Sequence, residues 1–185
     1  MRRIGITGGI GSGKSVVSRL LRIMGYSVYD TDSEAKRLME SSLEVVQKLS
    51  ECFGRDIYHN GRLNRGLLSS RVFGKSDKIV LLNSIVHPVV RFDFYRWSES
   101  LNEEICFVES AILYESRFDE LVDEVWTVTA PEELRIGRVR QRSGLTEEEI
   151  KKRMAAQLSE EEKQRRAAHI IWNDGNVSVI HRVLS

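Results

Sequence analysis

Eight residues near the start, Gly8-Gly9-Ile10-Gly11-Ser12-Gly13-Lys14-Ser15, restrict this chain more than any other stretch. They fill every fixed position of G-x-x-x-x-G-K-[ST], and they sit where that pattern works, after an apolar run (Ile4, Ile6) and before an amphipathic one (Val16, Val17, Leu20, Leu21). The glycines let the backbone curl until successive N–H groups and the positive end of a helix dipole face one anion. Lys14 then adds charge at the β- and γ-phosphates of a nucleoside triphosphate, and Ser15 offers a hydroxyl to Mg²⁺. We therefore expect Gly9, Ile10, Gly11, Ser12 and Gly13 to line the phosphates of ATP together with Lys14 and Ser15.

Around the loop, short apolar runs alternate with longer helical stretches, which is the pattern of an α/β fold with a five-stranded parallel sheet flanked by helices. The expected strands are 3–7, 27–29, 105–109, 124–129 and 169–172. A helix over 14–24 ends at Gly25, one or two helices cover 33–52, and residues 63–101 carry helical periodicity broken by Pro88, which is expected to start or kink a helix. At 185 residues the chain suits one domain with excursions. Its core sheet is expected in 1–32 and 102–185, with a largely helical acceptor-binding region at 33–101 and a lid at about 135–150.

The remaining totals exclude more than they assign. Lys and Arg number 28 against 27 Asp and Glu, so no strong field favours polyanions, and nucleic acid is not an expected partner. No run approaches the roughly 20 apolar residues of a membrane span. Cys52 and Cys106 stand apart, as reduced thiols of a cytoplasmic protein would. Trp97, Trp126 and Trp172 sit in or beside apolar segments and are expected to pack.

A phosphate cradle alone does not separate a kinase from an NTPase switch. The acceptor side must decide, and Val28-Tyr29-Asp30-Thr31-Asp32 puts two carboxylates at the end of the second strand, on the sheet edge where ligands gather. Asp32 is the expected base for an attacking hydroxyl, with Asp30 beside it. Helix N-capping is the competing role for either aspartate, with Ser33 as rival cap. On the donor side, Arg135, Arg138, Arg140 and Arg142 crowd before Gly144 in a segment expected to be mobile. Guanidinium groups match phosphate oxygens in pairs, so Arg138 and Arg142 are expected to close over ATP. Asn173 and Gly175, after the fifth strand, are placed for the adenine edge.

Together these marks resemble the dephospho-coenzyme A kinase family. The resemblance rests on Thr7 to Ser15, Asp30-Thr31-Asp32, Leu63-Asn64-Arg65 with Leu68, Val72 and Phe73, and Ile85-Val86-His87-Pro88-Val89. It continues through Arg138, Arg142, Gly144-Leu145-Thr146, Arg153, Gln157 and Ile171-Trp172-Asn173-Asp174-Gly175. It implies a nucleoside monophosphate kinase-like fold, ATP and Mg²⁺ as cofactors, and dephospho-coenzyme A as the small-molecule substrate, phosphorylated on its ribose 3′-hydroxyl. Carried over, Asp32 would orient or deprotonate that hydroxyl, while Lys14 and Ser15 would serve phosphate and metal; Arg142, read from its own chemistry, is the leading catalytic cation of the lid. Arg65 and His87 would line the acceptor side. After the third strand the family commonly reads D-x-P-L-L-[FY]-E, whereas this chain has Glu109 and Ala111 in the first and third positions; Glu109 is expected in the metal shell. A nucleoside or nucleotide kinase is the rival enzyme, and a monomer or weak homo-oligomer is the expected state.

Overall fold

The computed structural model describes residues 1–176 and 179–184. The chain forms two compact units, Met1–Asp30 with Leu101–Ser185, and Thr31–Ser100. Where the sequence suggested one domain with excursions, residues 31–100 cluster as a unit of their own. Asp30 closes the first unit and Asp32 belongs to the second.

The first unit is built on β1 (Arg2–Thr7), β2 (Ser27–Asp30), β5 (Ile105–Glu109), β6 (Glu124–Thr129) and β7 (His169–Trp172). They form one parallel sheet in the order β2-β5-β1-β6-β7. Strand β1 lies at the centre, with Ile4 and Ile6 almost wholly buried on one face and Gly5, closely covered by Leu113, on the other. Helix α1 (Lys14–Ile23) lays Val17 and Leu21 on Ile4, Ile6, Phe107, Val128 and Ile171, and this cluster anchors the loop that precedes the helix. Gly25 follows its end at φ 95°, a left-handed conformation that favours glycine. Helices α6 (Glu132–Ser143), α7 (Glu147–Ala155), α8 (Glu160–Arg166) and α9 (Val179–Leu184) complete the unit. Trp172 on β7 is 43% exposed and so only partly packed.

The segment expected to be mobile, 138–144, is the second half of α6. Ile136 and Val139 are buried against Ile150 of α7 with Ile10, Leu145 and Met154 around them. Gly144 ends α6 at φ 67°, and Thr146 and Glu149 cap α7 reciprocally. The apolar side chains alternating with the arginines give this segment a core of its own.

The second unit holds α2 (Thr31–Ser41), α3 (Leu43–Phe53), α4 (Arg65–Val72) and α5 (Ser76–Ser100), with a two-stranded hairpin of β3 (Tyr58–His59) and β4 (Arg62–Leu63). The hairpin was not anticipated, although Asn60-Gly61, both at positive φ, is a strong hairpin signal. Pro88 lies inside α5 and neither starts nor ends it. The hydrogen bond it forfeits would have gone to the carbonyl of Ser84, an exposed residue. Burial of Ile85, Val86, Val90 and Phe94 holds the helix together across that gap.

Candidate active site

Strand β1 ends at Thr7 and α1 begins at Lys14, so the glycine loop spans six residues at the carboxyl edge of the sheet. Three of its turns need glycine: Gly8, Gly11 and Gly13 have φ of 151°, 81° and 98°. A Cβ on Gly13 would also lie 2.0 Å from Nδ2 of Asn173. Val16 and Val17 N–H donate to the Gly13 carbonyl, so at the start of α1 the amides of Lys14 and Ser15 have no acceptor within the helix, a geometry suited to an anion. A cavity of about 200 Å³ opens there, lined by Ile10, Gly11, Gly13, Lys14, Ser15, Val16, Arg138, Val139 and Arg142.

The loop's other amides have different partners. Gly9 N–H donates to Glu160 Oε1 at 3.0 Å, Ile10 N–H to Gln157 Oε1 at 2.9 Å, and Ser12 N–H to the Gly9 carbonyl at 3.1 Å. The expectation that Gly9, Ile10 and Ser12 offer their N–H groups to phosphate is therefore corrected, because each is already engaged within the protein. Arg135, expected among the lid cations, is 4% exposed and donates through Nε to the Ile10 carbonyl at 3.1 Å.

Glu109, at the end of β5, is 6% exposed, and its Oε1 accepts from Ser15 Oγ at 2.9 Å. Its extra methylene, compared with an aspartate, still lets the carboxylate meet the hydroxyl. In the pairing of β2 with β5, Asp30 stands opposite Glu109. Ser15, Glu109 and Asp30 thus gather hard oxygen donors at one sheet edge, a set suited to Mg²⁺ bound mainly through phosphate and water. No group of three or more His, Cys, Asp or Glu that could hold a metal occurs among the described residues. Past Glu109, the Ala111 carbonyl accepts from Lys163 Nζ at 3.3 Å. A proline at that position would present the same carbonyl, so the substitution leaves the contact intact.

On the far side of the loop, Arg138 donates to the Asn173 carbonyl at 2.9 Å and, more weakly, to the carbonyls of Gly11 and Ser12 at 3.4 and 3.5 Å. Asn173 Nδ2 donates to the Ser12 carbonyl at 2.8 Å. Both residues brace the loop through its carbonyls, and Arg138 also lines the cavity. Arg142 is exposed at the cavity wall, and Gly175 turns at φ 87° in a tip where Asp174 Oδ1 accepts from the Asn176 amide.

In the second unit, Asp32 occupies the first turn of α2 and is exposed. Arg65 pairs with Glu40 at 3.1 Å. It lines a groove of about 340 Å³ whose other walls include Lys36, Met39, Leu63, Leu68, Val72 and Phe73. His87 is half-buried in α5, and burial, reinforced by the charge of Arg91, holds its pKa below the ordinary histidine value.

This architecture can be compared with known proteins. The family model of dephospho-CoA kinase (CoaE) matches residues 2–178. A curated dephospho-CoA kinase of Porphyromonas gingivalis is 44% identical over 174 residues, covering 94% of this chain and 86% of that protein. The chain belongs to the dephospho-CoA kinase family. Among solved structures, TT1252 from Thermus thermophilus superposes with a TM-score of 0.85 at 38% identity, covering 99% of this chain and 94% of that one. The dephospho-CoA kinase from Campylobacter jejuni gives 0.72 at 26% identity, over 98% and 92%.

Within this family's sheet, the first unit brings together Gly11, Gly13, Lys14, Ser15, Asp30, Glu109, Arg138, Arg142 and Asn173. The parts of Arg135, Gln157, Glu160 and Lys163 were not legible. Gln157 stands out in the sequence only as a family mark, and Glu160 lies in a run of three glutamates with nothing to distinguish it.

Proposed function

We propose that the chain transfers the γ-phosphoryl group of ATP to the ribose 3′-hydroxyl of dephospho-coenzyme A, giving ADP and coenzyme A. Kinase chemistry of this family supports the donor and reaction class, and the observation that carries the reading here is the Ser15–Glu109 contact beside the free end of the loop, with Asp30 in register. Backbone amides at Gly11 and the start of α1, with the Lys14 ammonium, hold the triphosphate and offset charge gathering on the β–γ bridge as the bond to the leaving ADP breaks. Mg²⁺, held by Ser15 and by Glu109 directly or through water, would supply further neutralisation of the same oxygens. Asp32 accepts the proton of the 3′-hydroxyl or aims that hydroxyl at the γ-phosphorus. Arg142, exposed at the cavity wall, adds charge from the open side.

For the acceptor, the groove under Arg65 combines apolar walls with the cations Lys36 and Arg65 at its margin. That chemistry fits a substrate carrying both phosphates and a long, weakly polar arm. A coupled assay offering dephospho-coenzyme A, AMP, CMP, uridine and shikimate, with the phosphorylated position read by mass spectrometry, tests the reading. Preference for any other acceptor, or phosphate release without one, would reject it.

A further inference from the structure

The face of the glycine loop that does not bind phosphate is clamped by three side chains from a distant part of the chain. Glu160 Oε1 accepts the Gly9 amide, and its Oε2 accepts Thr129 Oγ1 at 3.1 Å. Gln157 accepts the Ile10 amide, and Arg135 donates to the Ile10 carbonyl. The Gly9 carbonyl in turn accepts from Ser12, so the N–H and the C=O of two successive residues, Gly9 and Ile10, are all engaged. The fit has no slack: a Cβ on Gly9 would fall 2.2 Å from Arg135 Nη2 and 2.3 Å from Glu160 Oε1. A carboxylate behind a loop that takes a polyanion would weaken binding if its charge were uncompensated. Arg135, 3.5 Å from it and buried, cancels that charge.

We propose that Gln157, Glu160 and Arg135 are positioning residues for ATP. They hold Gly9 and Ile10 so that the amides of Gly11, Gly13, Lys14 and Ser15 converge on phosphate before the nucleotide arrives. Preorganisation of this kind raises affinity by removing an ordering cost from the binding step. It acts through the loop, since all three side chains bond backbone atoms of Gly9 and Ile10 and none of them lines the cavity beside Lys14 and Ser15. The inference rests on the ATP-binding half of the proposed function and is independent of the acceptor.

The test compares Gln157→Met, which keeps length and loses the acceptor oxygen, with Gln157→Glu, which keeps an oxygen for the Ile10 amide. The probe is the non-hydrolysable analogue AMP-PNP with Mg²⁺, titrated calorimetrically into the full chain without acceptor. We expect Gln157→Met to weaken binding roughly tenfold, the cost of leaving one buried amide without its partner. Gln157→Glu keeps the acceptor but adds a carboxylate that Arg135, already paired with Glu160, does not cancel, so it should weaken binding by clearly less than Gln157→Met, and the KM for the acceptor should not move in either. Equal weakening in both variants, or none in Gln157→Met, overturns the proposal. Hydrogen exchange on the unmodified chain provides a second measurement should Gln157→Met fail to fold. The Gly9 and Ile10 amides must be protected without nucleotide, and those of Lys14 and Ser15 must gain protection when AMP-PNP binds. Free exchange at Gly9 and Ile10 until the analogue arrives also overturns it. Failure of the chain to phosphorylate dephospho-coenzyme A would refute the function while leaving AMP-PNP binding to judge the clamp.

Discussion

Replacing Gly13 by alanine tests how the loop is held, and the size of the effect follows from two local costs. Gly13 has φ 98°, where an L-residue with a Cβ is strained by about 1–2 kcal/mol. The new methyl would also meet Asn173 Nδ2 at 2.0 Å and push away an amide that donates to the Ser12 carbonyl at 2.8 Å, a bond worth about 1 kcal/mol. Together these give about 2–3 kcal/mol, or roughly 30- to 150-fold weaker binding of an ATP analogue if the loop relaxes out of its phosphate-ready shape. The two costs separate in a second background. Cutting Asn173 back to alanine leaves its Cβ 4.0 Å from the methyl, an ordinary contact, so in Asn173→Ala only the backbone strain remains. Gly13→Ala should therefore cost about 1 kcal/mol less there than in the parent chain, measured by calorimetric titration of the four members of the cycle. An equal penalty in both backgrounds would refute the reasoning that the methyl acts through Asn173.

Three further outcomes are expected. Asp32→Asn should bind AMP-PNP like the parent while losing roughly 10²- to 10⁴-fold in turnover, and near-normal turnover would remove Asp32 from the mechanism. Glu109→Gln should raise the Mg²⁺ concentration needed for half-maximal rate by about 10- to 100-fold; an unchanged Mg²⁺ dependence would exclude Glu109 from the metal's surroundings. His87, held below its ordinary pKa by burial and by Arg91, stays neutral in the fold over a range where the unfolded chain's histidine is already protonated. Its contribution to stability is intact above about pH 6.5 and is lost as pH falls from there through the lowered folded value. The gap in thermal midpoint between pH 7.5 and pH 5 should therefore shrink in His87→Leu, and an unchanged gap would refute this.

What could be read in advance was local. The strands over 105–109, 124–129 and 169–172 were bounded correctly because each is an apolar run closed by turn residues. The phosphate loop was legible because its chemistry needs eight consecutive residues. Asn60-Gly61 carried a hairpin signal in the sequence as well, and went unread because its strands are only two residues each and show no periodicity of their own. Pro88, expected to start or kink a helix, starts none because its local cost is outweighed by the buried face of α5, a term that only packing supplies.

The sequence by itself determined that a strand, a glycine turn and a helix would present amides and Lys14 to an anion, since neighbours in the chain carry that geometry. Only the tertiary structure decided which amides remain open to the anion. Gln157 and Ile10 are 147 positions apart, and Glu160 and Gly9 are 151, so no local pattern could pair them. The parallel register that sets Asp30 opposite Glu109, and the reach of Glu109 to Ser15, likewise exist only once β5 has inserted between β1 and β2. Hydrogen bonds are directional over about 3 Å, and which groups come that close is settled by how the sheet and helices pack.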